Sequence, residues 1–289
     1  MTLHVMLVVL GSALLHAVWN ALVRGASDKF GSTVWVVGGA AVWSLPLLGS
    51  VPLPSAESWP HLVASVLIHG VYFTLVALAY RGSELGVAYP LMRGTAPALT
   101  ALMGVLWLGE TLSTPAITGV TLVCAGVLGM GVAAWRSQAS VQVVTVVVAL
   151  LNALVIASYT LVDGAGVRLA GNPLSYTVYL FMGTALLMAL LAYARSRWPV
   201  ADRGVSPPRI ERREGLRLAI WGGAGTLGAY GLVLWAFAQA PVALVAALRE
   251  TSIVFALLIG AVFLKERLSL AKLLAVCLIA AGAVSLKLA

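Results

Sequence analysis

Residues 85–113 read LGVAYPLMRGTAPALTALMGVLWLGETLS, and residues 241–269 read PVALVAALRETSIVFALLIGAVFLKERLS. The two stretches align without gaps, and the alignment continues to residues 130 and 286. Identical residues fall at matched positions: Arg93 with Arg249, Gly104 with Gly260, Glu110 with Glu266, and Gly126 with Gly282. The sequence therefore predicts that the chain is an internal duplication.

An earlier match sets the length of the repeat, because residues 22–25 (LVRG) align with residues 161–164 (LVDG). We place the first repeat at residues 1–137 and the second at 138–289, with 196–215 as a charged loop within the second. Each repeat then holds five helices. Because five is odd, the second repeat is inverted in the membrane, an arrangement typical of transporters with a substrate site between the repeats.

The composition requires lipid as the solvent for most of the chain. Of its 289 residues, 61% are hydrophobic and only 10% are charged, and the mean hydropathy is +1.00. Soluble domains carry about 25% charged residues, and this much apolar surface exceeds what a core of this size can hide from water. The predicted fold class is an all-α membrane protein.

Ten stretches are apolar enough to cross a bilayer, which takes roughly 20 residues. Short polar breaks, or breaks rich in proline and glycine, separate them. The first stretch is expected to be retained, because no Lys or Arg precedes it and it is longer than the apolar core of a signal peptide. The predicted spans are 3–24, 32–49, 61–80, 85–108, 115–135, 140–163, 174–195, 216–238, 242–264 and 269–287.

Basic residues are divided unequally between the two sides of this topology. One side holds 14 of them, seven of which lie between Arg195 and Arg217, whereas the side with both termini holds only Arg168 and Lys287. The positive-inside rule therefore places both termini in the periplasm of a bacterial-type inner membrane. The net charge of +8 follows from this bias. No basic stripe interleaved with aromatic residues follows a helix, so no nucleic-acid partner is expected.

No pattern indicates an enzyme, a metal or a cofactor. Cys124 and Cys277 lie in apolar spans without metal-ligand spacing, and the chain has neither an ATP-binding glycine loop nor a His-Glu-x-x-His zinc motif. A nucleophile placed beside a base, which an intramembrane enzyme needs, is also not evident.

Several segments together resemble one family. Residues 79–84 (AYRGSE), 89–97 (YPLMRGTAP) and 108–112 (LGETL) look like an EamA-type repeat of the drug/metabolite transporter superfamily. LKERL at 264–268 repeats the same turn, and HAVWN at 16–20 resembles the first helix of one EamA subgroup. The resemblance covers essentially the whole chain.

This resemblance implies ten helices in two inverted repeats around a central cavity. Spans 1, 3, 4, 6, 8 and 9 would line the cavity, and spans 5 and 10 would pack outside it. It also implies a metabolite exporter or exchanger, closest in build to exporters of aromatic and neutral amino acids. Many ten-helix relatives are drawn with cytoplasmic termini, whereas the loop charges here predict the reverse.

Arg93 and Arg249 are the leading site candidates, because a charged group within a bilayer costs about 2.5–3.5 kcal/mol on insertion scales. Each lies about eight residues into its span, and the spans run in opposite directions, so we expect the two at opposite ends of one path. A guanidinium binds a carboxylate through two parallel hydrogen bonds, which suits a gate or a substrate anchor. The alternative is a structural ion pair with Glu250 or Glu84.

Polar and aromatic residues also share helix faces. His16, Trp19 and Asn20 lie on one face of the first span, and His69, Tyr72 and Phe73 on one face of the third. Such faces suit the polar head and ring of an amino acid, although hydrogen bonding between helices is the more common explanation. Weaker candidates are Asn152, Ser158, Tyr159, Tyr230 and Trp235. Four tryptophans near span ends are predicted to form an interfacial belt: Trp59, Trp107, Trp135 and Trp198.

Pro90 and Pro97 interrupt the hydrogen bonding of the fourth span and make it a predicted hinge. Glu250 is the one acid expected well inside a span, so facilitated diffusion or exchange is favoured over tight proton coupling. The leading hypothesis is an alternating-access exporter of amino acids or similar small metabolites, for which a monomer suffices. The alternatives are a lipid-linked sugar flippase or a drug exporter and, from other classes, an intramembrane enzyme or a receptor.

Overall fold

The computed structural model describes residues 1–23, 28–79, 85–137, 141–197, 210–263, 265 and 269–289. Within these ranges all regular structure is helical. A 3₁₀ turn, Ala56–Ser58, precedes α3, and a π-helical turn, Leu218–Gly222, joins α8 to α9. The helices are α1 Leu3–Val23, α2 Lys29–Leu48, α3 Trp59–Ala79, α4 Leu85–Trp107, α5 Thr114–Arg136, α6 Val143–Leu169, α7 Pro173–Arg197, α8 Arg212–Arg217, α9 Gly223–Phe237, α10 Val242–Arg249, α11 Thr251–Phe263 and α12 Leu270–Leu288.

The protein is a multi-pass membrane protein. Nine helical stretches of the described residues are long and apolar enough to cross a membrane. The predicted span missing from these nine is α4, which has the length but carries Arg93, Pro90 and Pro97. The count of ten spans therefore stays a prediction. The outer surface is rich in exposed aliphatic side chains, as lipid contact requires; examples are Leu106, Val143 and Leu288.

The predicted span boundaries need two corrections at helix ends. The sixth span was expected to end at Asp163, but α6 continues to Leu169. All residues from 164 to 170 except Arg168 are small or apolar, and the turn comes only at Gly171, which has φ +75°. The loop expected at 196–215 is shorter, since α7 runs to Arg197 and α8 begins at Arg212. Residues 198–209, with Trp198, lie outside the described residues, as do Glu84 and Glu266.

The ninth predicted span, 242–264, is two helices rather than one. Glu250 separates α10 from α11; its N–H donates to the carbonyl of Ala247 at 3.1 Å, and its own carbonyl accepts from the N–H of Ile253 at 3.0 Å. The cation of Arg249 lies in the last turn of α10, where the helix dipole favours positive charge. No proline or glycine marks this break, so the sequence pattern did not predict it.

Helices of the first half pack against helices of the second half, and these contacts come in matched pairs. α3 packs against α6 and α7, while α9 packs against α1 and α2. α4 contacts α6, and α10 and α11 contact α1. α2 also packs on α7, and α5 on α12. Each of these contacts between the halves thus has a counterpart, with α5–α12 and α2–α7 joining helices at matched places in the two halves.

Glycine allows a close contact between α5 and α12. A Cβ atom on Gly119 would lie 2.9 Å from the carbonyl oxygen of Gly282, and one on Gly282 would lie 2.8 Å from that of Gly119. Because the obstacle is backbone and cannot rotate away, both positions need glycine for the helices to approach this closely. Ser113 and Ser269 cap these two helices through their side-chain oxygens, in matched positions of the repeat.

Candidate functional site

A cavity of about 180 Å³ lies at the centre of the helix bundle. Its walls come from the six helices expected from the sequence, α1, α3, α4, α6, α9 and α10, and also from α2 and α7, which were not expected. α5, α11 and α12 do not contribute to its wall. The cavity extends along the last turns of α1 and the first turns of α2, where Asn20 and Thr33 line it.

Ten of the residues singled out from the sequence line this cavity: His16, Trp19, Asn20, His69, Tyr72, Phe73, Arg93, Tyr159, Tyr230 and Arg249. Tyr89, Phe181 and Thr184 complete much of the wall. Most of these side chains are aromatic, and they come from helices far apart in sequence. The cavity is therefore an assembled site rather than a local motif.

The remaining candidates lie elsewhere. Trp235 packs edge-on against the ring of His4 at 5.3 Å. Asn152 donates to the sulfur of Met92 at 3.0 Å, and the hydroxyl of Ser158 donates to the carbonyl of Leu154 within its own helix. Trp59, Trp107 and Trp135 are exposed near helix ends. Pro90 and Pro97 lie within one continuous helix, α4, outside the cavity wall, and their role as a hinge stays a prediction.

His69 stands at the centre of the aromatic cluster. Its ring lies 4.3 Å from that of Tyr159, 5.9 Å from that of Tyr230 and 6.4 Å from that of Tyr72, measured between centroids. Its Nδ1 lies 2.9 Å from the carbonyl oxygen of Ser65. Because a carbonyl can only accept, Nδ1 carries a proton and Nε2 is the basic nitrogen of the neutral ring. Edge-to-face and tilted contacts of this kind fix the rings relative to one another, and together the rings form a rigid, partly polar part of the cavity wall.

Arg93 is neutralised within the protein. Its Nε lies 3.0 Å from Oε2 of Glu250, and both side chains are more than nine-tenths buried. This ion pair joins α4 to the break between α10 and α11. Two opposite charges buried together avoid the large cost of burying either charge alone. The alternative that the sequence left open, a structural ion pair with Glu250, therefore describes Arg93.

Arg249 differs from Arg93 in having no acidic partner among the described residues. Its guanidinium carbon lies 5.2 Å from the ring centroid of Tyr230, a cation–π contact, and the residue lines the cavity. The expectation that Arg93 and Arg249 stand at opposite ends of a path is wrong. Both line one cavity, because the helix break places Glu250, the neighbour of Arg249, directly against Arg93.

A comparison with family models gives the class of protein to which this cavity belongs. The model of the EamA-like transporter family matches residues 3–132 and again residues 143–287. The chain belongs to the EamA-like transporter family. The resemblance seen in the sequence is confirmed, and this family consists of membrane transporters rather than enzymes.

Part of the chain is similar to two multidrug resistance proteins. The chain is 37% identical over 73 residues to the multidrug resistance protein EbrB of Bacillus subtilis and 38% identical over 71 residues to the multidrug resistance protein mmr of Mycolicibacterium paratuberculosis. These matches cover 25% and 24% of this chain, and 61% and 65% of the two relatives. The chain thus spans less than two thirds of the length of either relative.

A solved crystal structure aligns with the whole of this EamA-like chain and with 98% of its own chain, with a TM-score of 0.71. The two sequences are 19% identical, so the likeness shows a shared fold and nothing about the substrate.

Asp163 is a buried acid that the sequence analysis did not identify. It is fully buried in α6, and its carboxylate accepts hydrogen bonds from the hydroxyls of Tyr176 at 3.0 Å and Tyr230 at 2.5 Å. The expectation that Glu250 is the one acid well inside a span is therefore wrong. A continuous reading of the small and apolar residues up to Gly171 would have placed Asp163 inside the helix.

The far end of the bundle is closed by a polar cluster around Glu110 and Arg168. Nη2 of Arg168 donates to Oε1 of Glu110 at 3.1 Å, and the same carboxylate accepts from the backbone N–H groups of Val242 at 2.7 Å and Ala243 at 3.3 Å. The N-terminus of α10 is thus capped by a side chain from the turn after α4. The sequence alignment paired Glu110 with Glu266 but assigned neither a role.

Proposed function

We propose that this transporter exports amino acids or similar small carboxylate-bearing metabolites by alternating access of two inverted five-helix repeats. It lies in a bacterial-type inner membrane with both termini in the periplasm. The repeats rock about the central cavity, and substrate crosses by facilitated diffusion, exchange or ion coupling.

The main support for this proposal is that Arg249 lines the cavity without an acidic partner among the described residues. Arg93 is already paired with Glu250, whereas Arg249 faces the cavity with a cation–π contact to Tyr230 and forms no ion pair with any described acid. A half-buried guanidinium without a counter-ion attracts an anion, and its planar fork matches a carboxylate. Arg249 is therefore the proposed carboxylate anchor, and the aromatic wall around His69 the proposed seat for the rest of the substrate.

The matched packing of the two halves supports the inverted repeat. Equivalent helices contact each other in the pairs α5–α12 and α2–α7, and the contacts of α3 with α6 and α7 mirror those of α9 with α1 and α2. Such exchange symmetry is expected when two equal units face each other across a pseudo-twofold axis in the membrane plane. Arg93 and Arg249 then occupy equivalent sites, of which only one is neutralised.

Drug export is the second candidate, because EbrB and mmr are named multidrug resistance proteins and the cavity wall is aromatic. Two observations favour a small metabolite instead. The cavity volume of about 180 Å³ is below the roughly 300–1,000 Å³ of pockets for drug-sized ligands. Among the described residues that line the cavity there is no acid to attract a cationic drug.

Counterflow in liposomes tests the proposal. Purified protein in liposomes loaded with one unlabelled amino acid at a time is given the same labelled amino acid outside, across the full set of twenty. We expect exchange of a subset with apolar or aromatic side chains. Arg249→Ala should abolish it and Arg249→Lys should restore it only in part, because an ammonium lacks the two-point fork.

Arg136→Ala is the matched control, since Arg136 is an exposed arginine at the end of α5, a helix that does not contribute to the cavity wall. It should exchange at the wild-type rate. Exchange of no amino acid, together with saturable transport of a lipophilic cation such as tetraphenylphosphonium, would refute the metabolite proposal in favour of drug export.

A further inference from the structure

The buried carboxylate of Asp163 lies directly behind the cavity wall, and its neighbours connect it to that wall. Tyr230 lines the cavity through its ring and donates its hydroxyl to Asp163. His69 also lines the cavity, and its imidazole interacts electrostatically with Asp163. Between them stands Ser65, whose hydroxyl is within 3.1 Å of Nδ1 of His69 and is close enough to bond to Asp163.

We infer that Asp163 is the proton-binding site of this transporter and that proton exchange at Asp163 is coupled to substrate binding at Arg249. The inference rests on the proposed function, because the coupling requires a substrate on Arg249. It changes the energy source expected from the sequence, which favoured diffusion or exchange on the ground that no second acid lay in a span.

The surroundings of Asp163 fit a carboxyl group that changes its protonation. An anionic carboxylate only accepts hydrogen bonds, and here Tyr176 and Tyr230 both donate to it. When a proton binds one oxygen, that oxygen becomes a donor, so one tyrosine hydroxyl must turn its own hydrogen elsewhere. Tyr176 belongs to α7 and bonds Oδ1, and Tyr230 belongs to α9 and bonds Oδ2, so one proton changes a bond that holds α6 to one of these helices.

Charged and titratable groups on the elements around α6 define the electrostatic setting. α3 contributes His69, α7 Tyr176 and α9 Tyr230, each close to Asp163 as described. α4 brings Arg93, which Glu250 at the α10–α11 break already neutralises, and α10 brings Arg249. Further charged or titratable groups along α6 and its neighbours are Tyr72, Tyr89, Tyr159, His61, Glu57 and Arg168.

Tyr230 provides the link between the proton and the substrate. Its ring holds the guanidinium of Arg249 at 5.2 Å, and its hydroxyl holds Asp163. A substrate carboxylate that binds Arg249 therefore changes the position of the guanidinium on the Tyr230 ring and neutralises its charge. In the other direction, protonation of Asp163 turns the Tyr230 hydroxyl and so changes the position of the same ring. The proton reaches Asp163 from the cavity side, where His69 and Tyr230 line the wall.

The first experiment needs no known substrate. Infrared difference spectra of the purified protein between alkaline and acidic pH should contain the C=O stretching band of a protonated carboxylic acid that disappears in Asp163→Asn. Glu57→Gln is the matched control, because Glu57 is an exposed acid in the 3₁₀ turn before α3, and it should leave this band in place. A spectrum of Asp163→Asn identical to that of the wild type overturns the assignment of the proton site.

The second experiment tests coupling in liposomes with a mixture of the twenty labelled amino acids and an imposed pH difference of one unit. A carrier that moves one proton per substrate builds a concentration ratio of up to about tenfold. We expect the wild type to build such a ratio and Asp163→Asn to build none while it still exchanges label in counterflow. Wild-type counterflow that does not respond to the pH difference overturns the inference and leaves the proposed function intact. If no counterflow occurs at all, it is the proposed function that fails, and the infrared band still decides the proton site.

Discussion

Nη2 of Arg168, in the last turn of α6, lies 3.1 Å from Oε1 of Glu110, in the turn between α4 and α5. Arg168 also donates to the carbonyls of Phe237 and Ala240 at 3.0 Å each, while Glu110 caps α10. Four segments from both halves of the chain therefore meet at one ion pair, at the end of the bundle where α6 and α9 terminate. In an alternating-access cycle, these bonds must break before the cavity can open at this end.

Glu110→Gln should loosen this end, because the amide keeps the shape but loses the charge that holds Arg168. Hydrogen bonds to charged groups contribute about 1.5–3 kcal/mol, although part is lost because Arg168 is partly exposed. The measurement is the rate at which a water-soluble maleimide modifies a cysteine at Val245, which is fully buried in α10, with Cys124 and Cys277 changed to alanine. We expect faster modification in Glu110→Gln than with Glu110 intact, and equal rates would contradict a closing role.

The two cavity arginines should respond differently to removal. Arg93→Ala leaves Glu250 buried without its counter-ion, and breaking a buried pair costs about 3–5 kcal/mol. Arg249→Ala removes a side chain with no described acidic partner, so the fold should lose no more than about 1 kcal/mol, the scale of a cation–π contact. Thermal unfolding in detergent compares the two variants.

The double variant Arg93→Met/Glu250→Gln serves as the control, since removal of both charges leaves neither one unpaired. It should unfold close to the wild type. If Arg93→Ala and Arg249→Ala lower the melting temperature equally, the assignment of Arg93 to structure and Arg249 to substrate is not supported.

Two glycines of α5 give a matched test of helix packing. A Cβ on Gly119 meets the backbone of α12 at 2.9 Å, whereas a Cβ on Gly129 meets nothing within 4 Å. Gly119→Ala should destabilise the protein by about 1–3 kcal/mol because the helices must separate. Gly129→Ala should be neutral or stabilise by up to about 1 kcal/mol through helix propensity. Thermal unfolding measures both, and a similar loss in the two variants would argue against the close α5–α12 contact.

Orientation is tested with reporters fused to the C-terminus. The distribution of Lys and Arg predicts a periplasmic C-terminus, so alkaline phosphatase fused after Ala289 should be active in cells and a cytoplasm-dependent fluorescent protein should not. The opposite pattern would reverse the topology and place the Glu110–Arg168 end of the bundle on the cytoplasmic side.

The sequence by itself determined the membrane class, the duplication, the family and most helix limits. These properties depend on hydrophobic length, which each span carries in its own residues, and on a repeat that a gapless alignment reveals. It also selected ten of the residues that line the cavity, because polar and aromatic side chains are costly in lipid and stand out within an apolar span. The orientation, the inversion and the count of ten spans stay predictions of the sequence.

Only the tertiary structure decided how the charges are paired. The sequence treated Arg93 and Arg249 as equivalent, since each occupies the same position of its repeat, and it placed Asp163 at a span end. Helix packing makes the two arginines different, because the helix break at Glu250 places its carboxylate against Arg93. The packing of α7 and α9 against α6 places two tyrosine hydroxyls within hydrogen-bonding distance of Asp163. Whether a buried charge has a partner depends on side chains from other helices, over distances of about 3 Å, and no pattern along a single helix contains that information.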